Sequence, residues 1–236
     1  MFYYDYTIII LIPAMALAFY AQHRVKSAYS GYSRVATAKG FTGAQVARRI
    51  LDTNGLRDVP IERVSGIMTD HYHPGKRVMR LSNQVYSGTS IASVSIAAHE
   101  SGHAIQHGNG YAPLKIRNGL APIASFGSKL SWLLLLGGLA LTAAGSIEYY
   151  SIGAFIFDLG IIMYASAVLF QVITLPVELN ASKRALIQLD GLGLITLNER
   201  RGAKKMLSAA ALTYIAAMAV AIANLMRLLL IRGRNN

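Results

Sequence analysis

Residues 152–175 read IGAFIFDLGIIMYASAVLFQVITL, an apolar run interrupted by one charged residue, Asp158. A hydrocarbon core about 30 Å thick takes about 20 mostly apolar residues at helical rise, so this run predicts a membrane-crossing helix. Only Glu148, Tyr149, Tyr150 and Ser151 separate it from a second apolar run, Leu130 to Ile147, and so short a linker predicts a tight hairpin. Two further runs qualify, from about Tyr3 to Ala21 and from about Met206 to Ile231. The first has no positive n-region and no clear small-residue cleavage site, which favours a retained anchor over a signal peptide. A helix satisfies its own backbone hydrogen bonds, which is what lets such segments cross lipid.

The chain has 236 residues, 53% hydrophobic and 14% charged. Soluble domains carry about 25% charged residues, so the composition excludes an ordinary cytosolic enzyme, and it is far too apolar for a disordered chain. The absence of cysteine excludes a disulfide scaffold, a cysteine nucleophile and a thiolate metal site. A net charge of +12 suits an anionic membrane surface or nucleic acid. The apolar runs favour the bilayer as partner, and the basic residues are scattered without interleaved aromatics, so no nucleic-acid partner is expected.

Basic residues near the spans predict orientation. His23, Arg24, Lys26 and Arg34 follow the first run, and Lys183, Arg184, Arg200, Arg201, Lys204 and Lys205 lie between the third and fourth. The hairpin linker has none. The expected organisation is an N-terminal anchor (1–21), a cytoplasmic α+β unit (22–129), a transmembrane hairpin (130–175), a cytoplasmic helical segment (176–205), a fourth span (206–231) and a tail (232–236). Arg232 and Arg234 in that tail run against the rule. Asp158 has no evident basic partner within the spans and is expected to be a polar packing contact near the outer interface rather than a proton relay.

Within 22–129, Thr42 is a candidate N-cap for a helix over Gly43 to Asn54, with Val46, Ile50 and Leu51 on one face and Arg48 and Arg49 on a solvated one. Val59 to Val64 suits a short edge strand, His71 to Gly75 a turn, and Arg77 to Tyr86 a second strand. Ser90 is a candidate cap for a helix from Ile91 to His107.

That last helix carries His99-Glu100-Ser101-Gly102-His103. Side chains at i and i+4 lie one above the other, so both imidazoles can grip one ion. Glu100, about 100° round the helix, can instead act as general base on a zinc-bound water and return the proton to the leaving amine. This is the metallopeptidase arrangement, and three of the six histidines cluster here. A catalytic zinc takes a third protein ligand and an open position. His107 is about 12 Å of rise from His99, too far along a regular helix. With Gln106 and Asn109 in place of glycine and histidine, the extended metzincin pattern is excluded. Spacing leaves His71 and His73 open, although a turn ahead of the strand better suits substrate-side or surface groups. Glu178 is the best candidate: it emerges just past the third span, and the hairpin returns the chain to the surface that carries His99 and His103. The small Ala181 and Ser182 beside it would allow close approach.

His99-Glu100-Ser101-Gly102-His103, an apolar hairpin and then Glu178-x-x-Ala181 resemble the HtpX-type gluzincin membrane peptidases. The blocks Thr69-Asp70-His71-Tyr72, Leu81-Ser82, Val85-Tyr86, Ala97 to Gln106 and Pro176 to Ala185 resemble most closely the YugP-type neutral zinc metallopeptidases. The resemblance spans essentially the whole chain. It implies a multi-pass α-helical membrane protein of about four transmembrane helices with a small cytoplasmic α+β gluzincin-like zinc metallopeptidase unit. It further implies one zinc per chain held by His99, His103 and Glu178, with Glu100 as base, and hydrolysis of peptide bonds in peptides or membrane proteins at the cytoplasmic membrane surface. An extended peptide would pair beside the Arg77–Tyr86 strand. HtpX-type chains continue Glu-Ala-Asp where this chain has Asn180, Ala181 and Ser182, so the partner that orients each zinc histidine is open. Tyr72, His107 and Arg184 are candidates for stabilising the oxyanion.

Two alternatives compete. In a site-2-type intramembrane protease, Leu189-Asp190-Gly191 would make Asp190 a ligand, but Lys183, Arg184, Glu199, Arg200 and Arg201 flank it and forbid a lipid-buried helix. A non-catalytic metal-binding membrane adaptor would have no use for Glu100. A transporter would be expected to show inverted repeats and broken helices, which this chain lacks.

Overall fold

The computed structural model describes residues 6–144 and 146–234; the expected start of the first span at Tyr3 and the last two tail residues lie outside them. A 3-10 turn, Tyr6–Ile10, leads into α1 (Leu11–Tyr32). There follow α2 (Gly43–Thr53), β1 (Ile61–Val64), β2 (His71–His73), β3 (Val78–Ser82), α3 (Asn83–Ser87), α4 (Ile91–Gly108), α5 (Ala112–Thr142), α6 (Ile147–Gly191) and α7 (Leu197–Arg234). Among the described residues, four helical stretches are long and apolar enough to cross a membrane: Tyr6–Tyr32, Ala112–Thr142, Ile147–Gly191 and Leu197–Gly233. The helices therefore run well past the apolar stretches seen in the sequence. Residues 148–151, expected as linker, already belong to α6, and the turn falls at 143–146, of which 145 lies outside the described residues.

The chain divides into two compact units. One comprises residues 6–20, 116–175 and 214–234. Its core includes Leu135, Phe157, Ile161 and Leu228, contributed by α5, α6 and α7. Here one expectation is corrected. Asp158 does have a basic partner, Arg232, whose Nε and Nη2 donate to Oδ1 and Oδ2 at 2.6 and 3.0 Å. On sequence alone Arg232 falls in the tail, but α7 continues through it and carries it to the carboxylate.

The second unit comprises Ala21–Lys115 and Pro176–Thr213. Thr42 caps α2 through a capping box: Gln45 N–H donates to Thr42 Oγ1 at 3.2 Å, and Thr42 N–H to Gln45 Oε1 at 2.9 Å. Val46, Ile50 and Leu51 are fully buried, as the helical periodicity requires. Arg48 is not merely solvated, because its guanidinium donates to the Val59 and Leu56 carbonyls at 2.7 and 2.9 Å and pins the loop after α2.

The sheet has order β1-β3-β2, with β1 parallel and β2 antiparallel to β3. His71, Tyr72 and His73 form an edge strand rather than a turn, pairing with Arg80, Met79 and Val78. Pro74 to Arg77 make the turn, where Arg77 takes a φ of +50°. The second expected strand ends at Ser82, and residues 83–87 coil into α3. Because β3 is central, Val78, Met79, Leu81 and Ser82 are all buried and the expected alternation is lost.

α6 passes through Pro176 without ending. An interior proline costs about 3 kcal/mol. Offsetting this, Val177, Ala181, Ala185 and Leu189 recur every fourth residue and are all fully buried, a stripe that continues the helix into the second unit.

Candidate metal centre

Every residue of the centre lies in the second unit. Ser90 caps α4 by accepting from Ser93 N–H at 3.1 Å, and buried Ile91, Val94, Ala97 and Ala98 seat the helix against the core. One turn apart on this helix, the rings of His99 and His103 stand edge to face, with centroids 4.8 Å apart. Glu178, 3% exposed, sits beside Val177, at the start of the buried stripe of α6. Its Oε2 lies 3.2 Å from His99 Nε2 and 3.4 Å from His103 Nε2.

These spacings can be checked against a metal. Bonds of 2.0–2.2 Å at the tetrahedral angle put neighbouring donor atoms about 3.3–3.6 Å apart. The two histidine nitrogens stand close to that distance from Glu178 Oε2, and the three ligand atoms all lie within 4.8 Å of one another. Two imidazoles and one carboxylate are hard-to-borderline donors suited to zinc, so the residues present fit the ion.

Gly102 makes the approach possible. A Cβ there would sit 2.5 Å from the carbonyl oxygen of Ala181 and 3.1 Å from its Cα. That is main chain, which cannot swing aside. Glycine on α4 and alanine on α6 therefore let the two backbones touch, and this brings Glu178 to the histidines.

The far side of each ring is also held. Ser182 Oγ lies 3.1 Å from His99 Nδ1, and Gln106 Oε1 lies 3.0 Å from His103 Nδ1. The partner of His99 Nδ1, which the sequence left open, is thus the Ser182 hydroxyl. Gln106 was missed as a functional residue. Its spacing three positions after His103, on the same face, was the available signal.

Glu100 stands outside the trio. The backbone N–H of Tyr72, on edge strand β2, donates to its Oε2 at 3.0 Å. Asp70, next along, accepts from Ser82 N–H at 2.7 Å and Ser82 Oγ–H at 3.2 Å. Burial, with the Glu100 charge adding to it, raises the Asp70 carboxyl above its ordinary range despite those bonds. Glu178 moves the other way. Burial alone would raise it, but hydrogen bonds and charge from His103 and His99 hold it well below the usual carboxylate range.

The side chains of the remaining candidates have partners of their own. The Tyr72 hydroxyl pairs with His107 Nδ1 at 2.9 Å, and burial raises that phenol. His71 Nδ1 meets the Thr69 carbonyl at 2.9 Å, and His73 Nδ1 accepts from Lys76 N–H at 3.1 Å. Arg184 Nε donates to Asn180 Oδ1 at 2.7 Å. Asp190, the ligand of the intramembrane alternative, is paired with Arg200 and is not among the converging donors.

Comparison with known proteins agrees with this chemistry. The family model described as "Putative neutral zinc metallopeptidase" matches residues 7–233. The curated "Putative membrane protease YugP" of Bacillus subtilis (strain 168) is 49% identical over 224 residues, covering 95% of each chain. No solved structure matches. With a match that runs through both units and includes His99, His103 and Glu178, the chain belongs to the neutral zinc metallopeptidase family represented by that model.

Proposed function

We propose that the protein is a membrane-embedded zinc endopeptidase of gluzincin type, hydrolysing peptide bonds in peptides or membrane proteins at the cytoplasmic face of the bilayer. The observation that carries this reading is the convergence of the His99, His103 and Glu178 donor atoms within 4.8 Å of one another, with the histidine nitrogens 3.2 and 3.4 Å from the carboxylate and the carboxylate of Glu100 next to His99 in sequence. One zinc per chain would be held by these three residues. When bound, the zinc supplies Lewis acidity and lowers the pKa of water at its open position.

The chain's own groups do the rest. Glu100 accepts the proton of the attacking water and delivers it to the departing amine. The Tyr72 N–H fixes which carboxylate oxygen is engaged and so aims the other. A substrate in extended form would lie beside β2, the edge of the sheet, and not beside β3, whose two sides are already covered. The cytoplasmic placement is supported by basic residues: His23, Arg24, Lys26 and Arg34 follow the first apolar run and six lie between the third and fourth, all but Arg34 on helical extensions beyond the apolar runs.

Glu100→Gln tests the reading. Zinc should remain stoichiometric in the purified protein while cleavage of a peptide library disappears. A variant that cleaves like the wild type would refute Glu100 as base. Loss of zinc on this change would instead make Glu100 a ligand.

A further inference from the structure

We infer that Gln106 is a positioning residue for the metal centre, and that the Val177 carbonyl together with Arg184, three links from His103, sets the direction of its amide. This rests on the zinc reading above. Gln106 is fully buried yet makes three hydrogen bonds. Its Nε2 donates to the Val177 carbonyl at 2.8 Å and to Asn180 Oδ1 at 3.0 Å, and its Oε1 meets His103 Nδ1 at 3.0 Å.

The orientation of a side-chain amide follows from its partners. A guanidinium donates and never accepts. Arg184 Nε, 2.7 Å from Asn180, therefore requires the oxygen of that amide to face it. The same oxygen then takes an N–H from Gln106, and the Val177 carbonyl takes the other. With both N–H groups so engaged, Gln106 can offer His103 only its oxygen. His103 Nδ1 must be the N–H, which leaves the Nε2 lone pair facing Glu178 and the centre. A chain of single-direction hydrogen bonds, rooted in a group that cannot lose its proton, thus fixes the histidine in the form a metal requires.

Two consequences distinguish this from ordinary packing. Gln106 binds the carbonyl immediately before Glu178, so one side chain on α4 positions both a histidine ligand and the carboxylate ligand. It does this without charge. Orienting partners of metal histidines are often carboxylates, and losing them costs about 10–100-fold in affinity. Here the polarity is supplied by an amide, so Glu178 stays the sole anion among the three ligands.

The test uses the full chain in detergent, with zinc affinity measured by chelator competition and melting of the zinc-free protein measured alongside. Gln106→Met keeps length and loses all three bonds, and should weaken zinc by about 10–100-fold. Arg184→Lys, still donor-only, should bind zinc as the wild type does. Arg184→Met should weaken binding in the same direction as Gln106→Met, by less, and the effects of Arg184→Met and Gln106→Met combined should be smaller than their sum. Equal affinities in Arg184→Lys and Arg184→Met would overturn the directional chain. Wild-type affinity in Gln106→Met, with or without a lower melting temperature, would overturn the positioning role. If Gln106→Met does not fold, the Arg184 pair decides. His103→Ala separates the two levels: retained zinc there refutes the metal centre itself, whereas lost zinc beside an unaffected Gln106→Met refutes only this inference.

Discussion

Two of the acidic side chains on α6, Asp158 and Glu178, have opposite fates. Asp158, in the apolar unit, is clasped by the two guanidinium nitrogens of Arg232. Glu178, five turns further along the helix, faces two imidazoles instead. Arginine stays protonated at any biological pH, so the aspartate is permanently neutralised and its oxygens are spoken for. An imidazole can offer a ring-nitrogen lone pair, so these three side chains form a donor set that could hold a cation. The same helix thus carries one ion pair and one candidate metal cluster, and the partner makes the difference.

The largest expected effect separates these carboxylates. Glu178→Ala should cost zinc affinity by more than the roughly 10–100-fold typical of an orienting residue, while Asp158→Asn leaves zinc content at wild-type level. Zinc titration of both variants checks this, and stoichiometric zinc in Glu178→Ala would break the comparison. Next comes Glu100→Gln, where hydrolysis should fall by about 10²–10⁴-fold with metal retained, measured as turnover against zinc content.

The third contrast uses glycines. Gly102→Ala should destabilise the second unit by about 1–3 kcal/mol, the usual cost of overpacking, and loosen zinc, because the new methyl meets the Ala181 carbonyl. Gly119→Ala, in the apolar unit, adds a methyl into open space and should be neutral or slightly stabilising, since alanine is the better helix former by about 1 kcal/mol. Thermal melts of the two variants sharpen the distinction between the regions. Smallest of all, Asp158→Asn should lower stability by no more than about 1 kcal/mol, as for a partly exposed ion pair.

The long apolar helices and the converging His99 and His103 were legible because each rests on a simple rule: length of an apolar run in one case, four-residue spacing on a helix in the other. Thr42 and Ser90 were legible as caps for the same local reason. What escaped was set by partners distant in sequence. His71 to His73 look like part of a turn until β3 pairs with them, and the loss of alternation in β3 depends on its having a neighbour on each side. Arg232 found Asp158 only because α7 ran on past its apolar stretch. Gln106 reads as an ordinary polar residue on a helix, and its value appears once Val177, Asn180 and Arg184 are known to lie across from it. Glu178 was reachable from sequence because the hairpin logic and the family resemblance both pointed to it.

The main-chain contact between Gly102 and Ala181 has a bearing on ion choice. Side chains can turn to widen a cage, but two backbones in contact cannot draw nearer and separate only at the expense of the buried stripe on α6. The contact therefore sets how near the two helices stand, and any adjustment of the cage falls to the side chains of His99, His103 and Glu178 alone. A bulkier cation such as calcium, which prefers 2.3–2.6 Å and six or more oxygens, would find one carboxylate and two imidazoles on helices that are already in touch.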